Sequence, residues 1–337
     1  MKTTPLLLVG ALFLGAFFLG PRTSYEPIDF KLERHVPERL SELDGWLKLK
    51  ESAFKNIKAN NEKTIVWANG ERATTPWSVV YIHGFSASRL ESAPLAELVA
   101  DKLKANVFYT RLSGHGQRPE DLKNATPHLW VNDYLEALEI GHRIGKRVLV
   151  ISCSTGSTIA ALASQMHGTK DTHGAQDARN REAHVFISPN FGPKDKRAEI
   201  ILAPWGEQLA FLIEGKTHLS ASPEPDEQLG WYDAYPTESL FPMMYLVKLA
   251  RNSRLQDFNS PLLVLYSERD RVVDVEKIKT AFAQIGSQPK TLISIEDSDS
   301  KGQHVLAGRI KAPKALEPIK EQIVQWVHTL EHAQGLR

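Results

Sequence analysis

An α/β fold built on a mainly parallel sheet is what this 337-residue sequence predicts, and three observations lead to it. Five short apolar runs, Ser78 to Ile82, Arg147 to Ile151, His184 to Ser188, Pro261 to Tyr266 and Thr291 to Ile295, have the length and composition of strands covered on both faces. Segments with helical apolar spacing alternate with them, which is the order that places parallel strands under helices. The chain is 42% hydrophobic and 24% charged, enough to bury one large α/β core with an insertion.

The N-terminus stands apart. Met1-Lys2-Thr3-Thr4-Pro5 leads into fourteen apolar or small residues, Leu6 to Leu19, and then Gly20-Pro21-Arg22. That length suits a signal-peptide core and is short for a spanning helix, and no small-x-small cleavage pattern follows it. Residues 1–21 are therefore expected to be a signal peptide or short membrane anchor, with export to the periplasm or the outer face of an inner membrane. Residues 22–75 are expected to be an extension containing a helix over roughly Pro37 to Phe54, where Leu40, Leu43, Trp46, Leu47 and Leu49 form an apolar stripe.

The core is expected over 76–190 and 258–337. Its first strand runs into His83-Gly84-Phe85-Ser86-Ala87-Ser88, a turn able to present the Phe85 amide. Helices are predicted over Leu90 to Lys104, Pro127 to Ile144, Ser157 to His167, Val275 to Ile285 and Leu316 to His332, the last repeating Leu316, Ile319, Ile323, Val327 and Leu330 at a helical period.

The strand ending at Ile151 enters Ser152-Cys153-Ser154-Thr155-Gly156 and then a helix. A serine nucleophile needs its side chain held out of the backbone, a histidine to take its proton, and amides for the oxyanion. A strand that turns straight into a helix supplies the first, provided that the residues two before and two after the serine are small. Gly156 meets this. Ser152 stands where the usual Gly-x-Ser-x-Gly pattern has glycine, and is expected to displace the turn slightly without abolishing it. The Thr155 amide would be the second oxyanion donor. The alternative for these five residues taken alone is an ordinary strand-to-helix connection.

Downstream, the strand ending at Tyr266 meets Ser267-Glu268-Arg269-Asp270-Arg271-Val272-Val273-Asp274. An acid just past a strand's carboxyl end can orient a histidine; Asp270 is the candidate, with Asp274 in reserve. His304, in Gly302-Gln303-His304, is the candidate base. The predicted catalytic set is Ser154, Asp270 and His304, with Phe85 and Thr155 as the oxyanion hole.

The chain resembles, over roughly residues 76 to 332, the α/β-hydrolase serine hydrolases that include monoacylglycerol lipases and bacterial carboxylesterases. The order Ser, Asp, His along the chain is theirs. Arg111-Leu112-Ser113-Gly114-His115-Gly116 resembles the Gly-His-Gly loop that they carry after the strand following the oxyanion turn. Glu62 to Ala68, the oxyanion turn and Ile187-Ser188-Pro189-Asn190-Phe191-Gly192-Pro193 resemble an exported or membrane-associated bacterial subfamily. The resemblance implies an α/β-hydrolase fold and cleavage of a small-molecule or lipid-like ester through an acyl-enzyme, by a carboxylesterase or monoacylglycerol-type lipase. Lysophospholipase, peptidase and a non-catalytic binding protein of the same fold are the alternatives. No cofactor or metal is implied.

Between the strand at His184 and that at Leu262 lie about seventy residues, too many for an ordinary connection, and 191–257 is where the resemblance puts a cap. Trp205, Leu209, Phe211, Leu212, Trp231, Tyr232, Tyr235, Phe241, Met243, Met244, Tyr245 and Leu246 fall there. Most are expected to form the segment's own small core, and the rest to line an acyl pocket.

A net charge of +1 with no basic cluster argues against nucleic acid as the principal partner. The lone Cys153 excludes an internal disulfide framework and is expected to point into the sheet as a small apolar group. The polar segment Met166 to Ala183, with His167, Asp171, His173 and Asp177, lacks ligand spacing and is expected to be a surface loop rather than a metal site. His83 is expected to brace the oxyanion turn and His115 to shape the pocket wall. His128, His142, His218, His328 and His332 have no triad context.

Overall fold

The computed structural model describes residues 17–167, 181–220 and 226–333. The leader through Ala16, and most of the predicted polar loop with Asp171, His173 and Asp177, lie outside the described residues.

In chain order the regular elements are α1 (Leu40–Ser52), β1 (Thr64–Val66), β2 (Thr75–Ile82), α2 (Leu95–Leu103), β3 (Asn106–Tyr109), α3 (Pro127–Ile144), β4 (Gly145–Cys153), α4 (Thr155–His167) and β5 (Glu182–Ile187). After these come α5 (Gly206–Glu214), β6 (Thr217–Leu219), β7 (Ala234–Pro236), α6 (Leu240–Arg251), β8 (Leu262–Tyr266), α7 (Val275–Gln284), β9 (Lys290–Ser294) and α8 (Leu316–Ala333). Seven strands form one sheet in the order β1-β3-β2-β4-β5-β8-β9, parallel except for the antiparallel edge strand β1. A separate two-stranded ribbon, β6-β7, lies in the segment between β5 and β8.

Alternation along the strands divides the core into two layers, because successive side chains point to opposite faces. Val80, Ile82, Val148, Val150 and Phe186 pack on one face with Trp130, Tyr134 and Leu138 of α3 and Ile159 of α4. Val79, Tyr81, Leu149, Ile151, Cys153 and Val185 pack on the other with Leu95 and Val99 of α2 and Ile319, Ile323 and Val327 of α8. Cys153 is thus fully buried in the second layer, a small apolar group in the sheet.

Helix α3 occupies the range its pattern predicts: Thr126 caps it by accepting the Leu129 amide at 3.2 Å, and Pro127 supplies the first turn's fixed φ. Helix α2 starts five residues later than predicted. Pro94 disfavours the helical conformation in the residue before it, so Arg89–Glu91 form a separate 3₁₀ turn capped by Ser88 and the α-helix begins at Leu95. This break turns Glu91 inward, into full burial.

The N-terminal extension is tied to the core by buried charge. Lys63 pairs with Asp133 at 3.2 Å and with Glu136, and Arg34 reaches the same two carboxylates at 2.6 and 3.2 Å. Burial alone would raise the Asp133 pKa, but Lys63 and Arg34 hold it down to about 2. Glu51 of α1 receives Arg111 through two bonds of 2.8 Å. Among the described residues no helix is long and apolar enough to cross a membrane.

Removing one charge from such a cluster leaves its partners buried and underpaired. Asp133→Asn is expected to lower unfolding stability at pH 7 by about 3 kcal/mol, measured by guanidinium denaturation. A loss below about 1 kcal/mol would mean that the cluster contributes little.

Candidate active site

The site is assembled from the ends of parallel strands, where loops leaving the carboxyl edge converge. Ser154 follows β4 directly and has φ +50°, a conformation that non-glycine residues seldom adopt and that costs on the order of 1–3 kcal/mol. The elbow is held on three sides. Ser154 donates its amide to the Ile187 carbonyl at 2.9 Å, and its own carbonyl accepts the amides of Ser157 at 3.0 Å and Asn190 at 3.2 Å. Gly156 is required by space, since a Cβ there would stand 2.5 Å from the Ile82 carbonyl oxygen. At the non-glycine position, the Ser152 hydroxyl lies 3.0 Å from the Ser157 hydroxyl, which in turn donates to the Ser152 carbonyl at 2.9 Å. The extra hydroxymethyl group is thus absorbed as a buried cross-link between strand end and helix start, while Ser154 keeps its left-handed backbone.

Asp270 follows β8. Its Oδ1 accepts the amides of Val272 at 2.7 Å and Val273 at 2.9 Å, which leaves Oδ2 to receive His304 Nδ1 at 2.8 Å. The acid is thereby fixed in orientation, and the histidine's other nitrogen is directed away from it. Gln303 anchors the loop carrying the histidine: its Oε1 accepts Ser267 Oγ at 3.1 Å, and its Nε2 donates to the carbonyls of Ser298 and Ser300, both at 2.7 Å. Asp274, the reserve acid, instead caps α7 by accepting the Glu276 amide at 3.1 Å. The structure thus brings Asp270 and His304 together, while among the described residues no hydrogen bond joins Ser154 to His304. Ser154 and His304 each keep 9% exposure, in contrast to the fully buried Cys153 beside them.

The turn after β2 lies against the elbow: a Cβ on Gly84 would be 3.2 Å from Ser154 Cβ. His83 Nδ1 donates to the Gly84 carbonyl at 2.8 Å, and its Nε2 accepts the Leu112 amide at 3.0 Å, which sets the tautomer. Burial pushes the His83 pKa down to about 4, so it is neutral where it braces the turn. His115 does more than form a wall: its Nε2 accepts the Ser86 amide at 3.0 Å, and burial followed by the neighbouring His83 keeps it neutral too. Neither the Phe85 nor the Thr155 amide donates to another group among the described residues. The Phe85 ring is packed edge-on by His115, Trp130 and Tyr235.

The segment between β5 and β8 touches this turn. The Tyr232 amide donates to the Ser86 carbonyl at 3.0 Å, and its hydroxyl accepts the Gln117 amide at 3.0 Å and donates to the Gly114 carbonyl at 3.3 Å. Phe241, Met244 and Ile201 form a small separate core with Phe211 and Met243 beside it, a smaller share of the segment's apolar side chains than expected. Tyr232, Tyr235 and Leu246 join the main core instead. Met243 borders both clusters, and Asn190 Nδ2 lies 3.5 Å from its sulfur and 3.4 Å from Thr155 Oγ1.

One buried group here escapes sequence reasoning. Glu91 Oε1 accepts the Gly84 amide at 2.7 Å and the Tyr81 hydroxyl at 3.0 Å. Burial raises its pKa to about 7, against the pull of those two bonds and of the nearby Lys311 ammonium. The sequence signal was an acidic residue three positions before a proline inside a supposed helix. Among the described residues no group of side chains could hold a metal ion.

Residues 79–308 match the model of the alpha/beta hydrolase family. The chain belongs to that family. Comparison with curated protein sequences finds no match. Among solved structures, a metagenome-derived lipolytic enzyme of the LipS and LipT pair is similar, with a TM-score of 0.59 and 18% identity over 82% of this chain and 99% of its own. The monoacylglycerol lipase of Paleococcus ferrophilus aligns with a TM-score of 0.56 and 14% identity, over 80% and 99%. A soluble variant of monoglyceride lipase from Saccharomyces cerevisiae, in complex with a substrate analogue, aligns with a TM-score of 0.56 and 13% identity, over 90% and 99%. At these identities the likeness establishes a shared fold, and this family member's chemistry is argued from its own site.

The raised pKa of Glu91 has a stability consequence of definite sign. A carboxyl whose folded pKa lies above its unfolded value stabilises the fold below about pH 4.5 and loses that contribution as pH rises through about 7. Glu91→Gln cannot ionise, so between pH 4.5 and pH 8 its stability relative to the parent protein is expected to improve by roughly 3 kcal/mol. Urea denaturation at the two pH values checks this; a difference independent of pH would contradict the raised pKa.

Proposed function

We propose that this protein is a serine hydrolase that cleaves carboxylic esters through an acyl-enzyme. The observation that carries the reading is the buried His304–Asp270 hydrogen bond at the sheet edge where Ser154 stands in its strained elbow. In the proposed cycle His304 Nε2 takes the Ser154 proton as Oγ attacks the ester carbonyl, and the carbonyl oxygen, now anionic, is met by the amides of Phe85 and Thr155. The imidazolium formed is stabilised by Asp270 and returns its proton to the departing alcohol. Water, deprotonated by the same histidine, then releases the acid and restores the serine. The cycle uses no metal or organic cofactor.

The substrate we favour is a lipid-like ester, as for a carboxylesterase or monoacylglycerol-type lipase. Apolar side chains around the two turns, Phe85, Tyr235 and Met243, support an acyl chain over a charged substrate terminus. The lipolytic names borne by the three similar structures agree with this choice. We assign 76–190 and 258–337 to the hydrolase core and 191–257 to a cap, supported by the contacts of Tyr232 and Tyr235 with the turn after β2.

We further propose that the protein is exported and works in the periplasm or anchored to the inner membrane through residues 1–21. Phe17, Phe18 and Leu19 are exposed, as are Leu212 and Ile213 of α5, and the Pro21 carbonyl accepts the Trp205 amide at 2.8 Å just before that helix. Such an apolar surface suits a lipid interface.

Initial rates on p-nitrophenyl esters from acetate to palmitate test the catalytic reading. The parent protein is expected to turn over these esters, Ser154→Ala to fall to background, and Asp270→Asn to lose about 10³- to 10⁴-fold in kcat. Ordinary turnover in Ser154→Ala would contradict it. The position of the chain-length optimum decides between a short-acyl esterase and a lipase.

A further inference from the structure

Glu91 has no part in the cycle above, yet it lies between the two loops that the cycle needs. Its Oε1 holds the Gly84 amide at 2.7 Å, and its Oε2 would be 3.1 Å from a Cβ on Gly84. On the opposite side, the loop following His304 closes over the turn that carries it. A Cβ on Gly308 would stand 2.5 Å from the Glu91 carbonyl oxygen, and the Arg309 amide donates to the Ala93 carbonyl at 2.9 Å.

We infer that Glu91 is a positioning residue for the oxyanion turn: by accepting the Gly84 amide it fixes the backbone that aims the Phe85 amide at the reacting carbonyl oxygen. The inference rests on the serine-hydrolase reading of Ser154 and Phe85. The peptide between Gly84 and Phe85 carries the Gly84 carbonyl and the Phe85 amide on opposite sides, since peptide units are planar and trans. His83 pins that carbonyl with Nδ1 at 2.8 Å, and Glu91 pins the preceding peptide through the Gly84 amide. With both planes held, the Phe85 amide has one direction. Pre-aimed donors are what make an oxyanion hole effective, because they need no reorganisation when charge develops.

The groups facing the carboxyl from its surroundings are the hydroxyl of Tyr81 on β2, the thiol of Cys153 on β4, and the His304 imidazole and Lys311 ammonium between β9 and α8. The positioning role needs an acceptor of the right reach at Oε1 and no particular charge. Two substitutions separate these properties. Glu91→Gln keeps the acceptor at the same distance and removes the charge. Glu91→Asp keeps the charge and withdraws the acceptor by one methylene.

The test measures kcat and KM of both variants on p-nitrophenyl butyrate, with thermal midpoints recorded beside them. Glu91→Gln is expected to stay within about 3-fold of the parent kcat, and Glu91→Asp to lose roughly 30-fold or more in kcat with KM within about 3-fold, a share of the 10²- to 10³-fold attached to one oxyanion donor. Tyr81→Phe, which removes the second bond to Oε1 and leaves Gly84 held, is expected to stay within about 3-fold as well. The reverse order, with Glu91→Asp active and Glu91→Gln impaired, would assign the role to charge and overturn the inference. So would kcat losses that follow the thermal midpoints in all three variants. A parent protein without esterase activity, or one whose activity survives Ser154→Ala, would overturn the serine-hydrolase reading itself and the inference with it.

Discussion

Two backbone turns, one after β2 and one after β4, approach so closely that no methyl group fits between them. A Cβ on Gly156 would stand 2.5 Å from the Ile82 carbonyl oxygen and 2.6 Å from that of His83. The parallel pairing of β2 with β4, in register through Ile82 opposite Ser152, brings the turns level, and α4 can start against β2 only because Gly156 has no side chain. Beside that contact stand the left-handed backbone at Ser154 and the seating of Gly84 against its Cβ. The strain at Ser154 is balanced locally by the bonds to Ile187, Ser157 and Asn190.

Two buried histidines hold the turn after β2 in place, and they do so because both ring nitrogens of each are partnered. His83 and His115 are neutral, and each gives one nitrogen to a carbonyl and accepts a backbone amide with the other. Asp133 joins this support to the N-terminal extension: its Oδ2 accepts the Ser113 amide at 2.6 Å in the Gly-His-Gly loop, while Oδ1 faces Arg34 and Lys63. Arg34 and Lys63, both ahead of β1 in the chain, are thereby linked through Asp133 to the loop that backs the turn after β2.

Much of the fold was legible because its strands are continuous apolar runs and its helices keep strict spacing; α3 and α8 fall where their patterns put them. The start of α2 was misplaced because apolar spacing continues through Leu90 while Pro94 interrupts the backbone, and periodicity does not register that break. Local motifs singled out Asp270 and His304, whose hydrogen bond spans thirty-four positions of sequence. The choice between Asp270 and Asp274 turned on backbone geometry: one closes a turn onto the histidine, the other caps a helix. Asp133 and Gln303 gave no signal, because their roles come from partners distant in sequence or from loop conformation, while the one signal at Glu91, its place before Pro94, lay inside a helical pattern. The aromatic content of 191–257 foretold burial but not which layer each ring would join, as Tyr232 and Tyr235 show by packing into the main core.

The claim on which the functional account depends is that Ser154 is an activated nucleophile, and covalent capture addresses it without knowledge of the natural ester. The parent protein, treated with a fluorophosphonate and mapped by peptide mass spectrometry, is expected to carry a single adduct on Ser154, with labelling slowed at least about 10²-fold in His304→Ala. No adduct, an adduct on another residue, or equal labelling of Ser154 in His304→Ala would contradict the account.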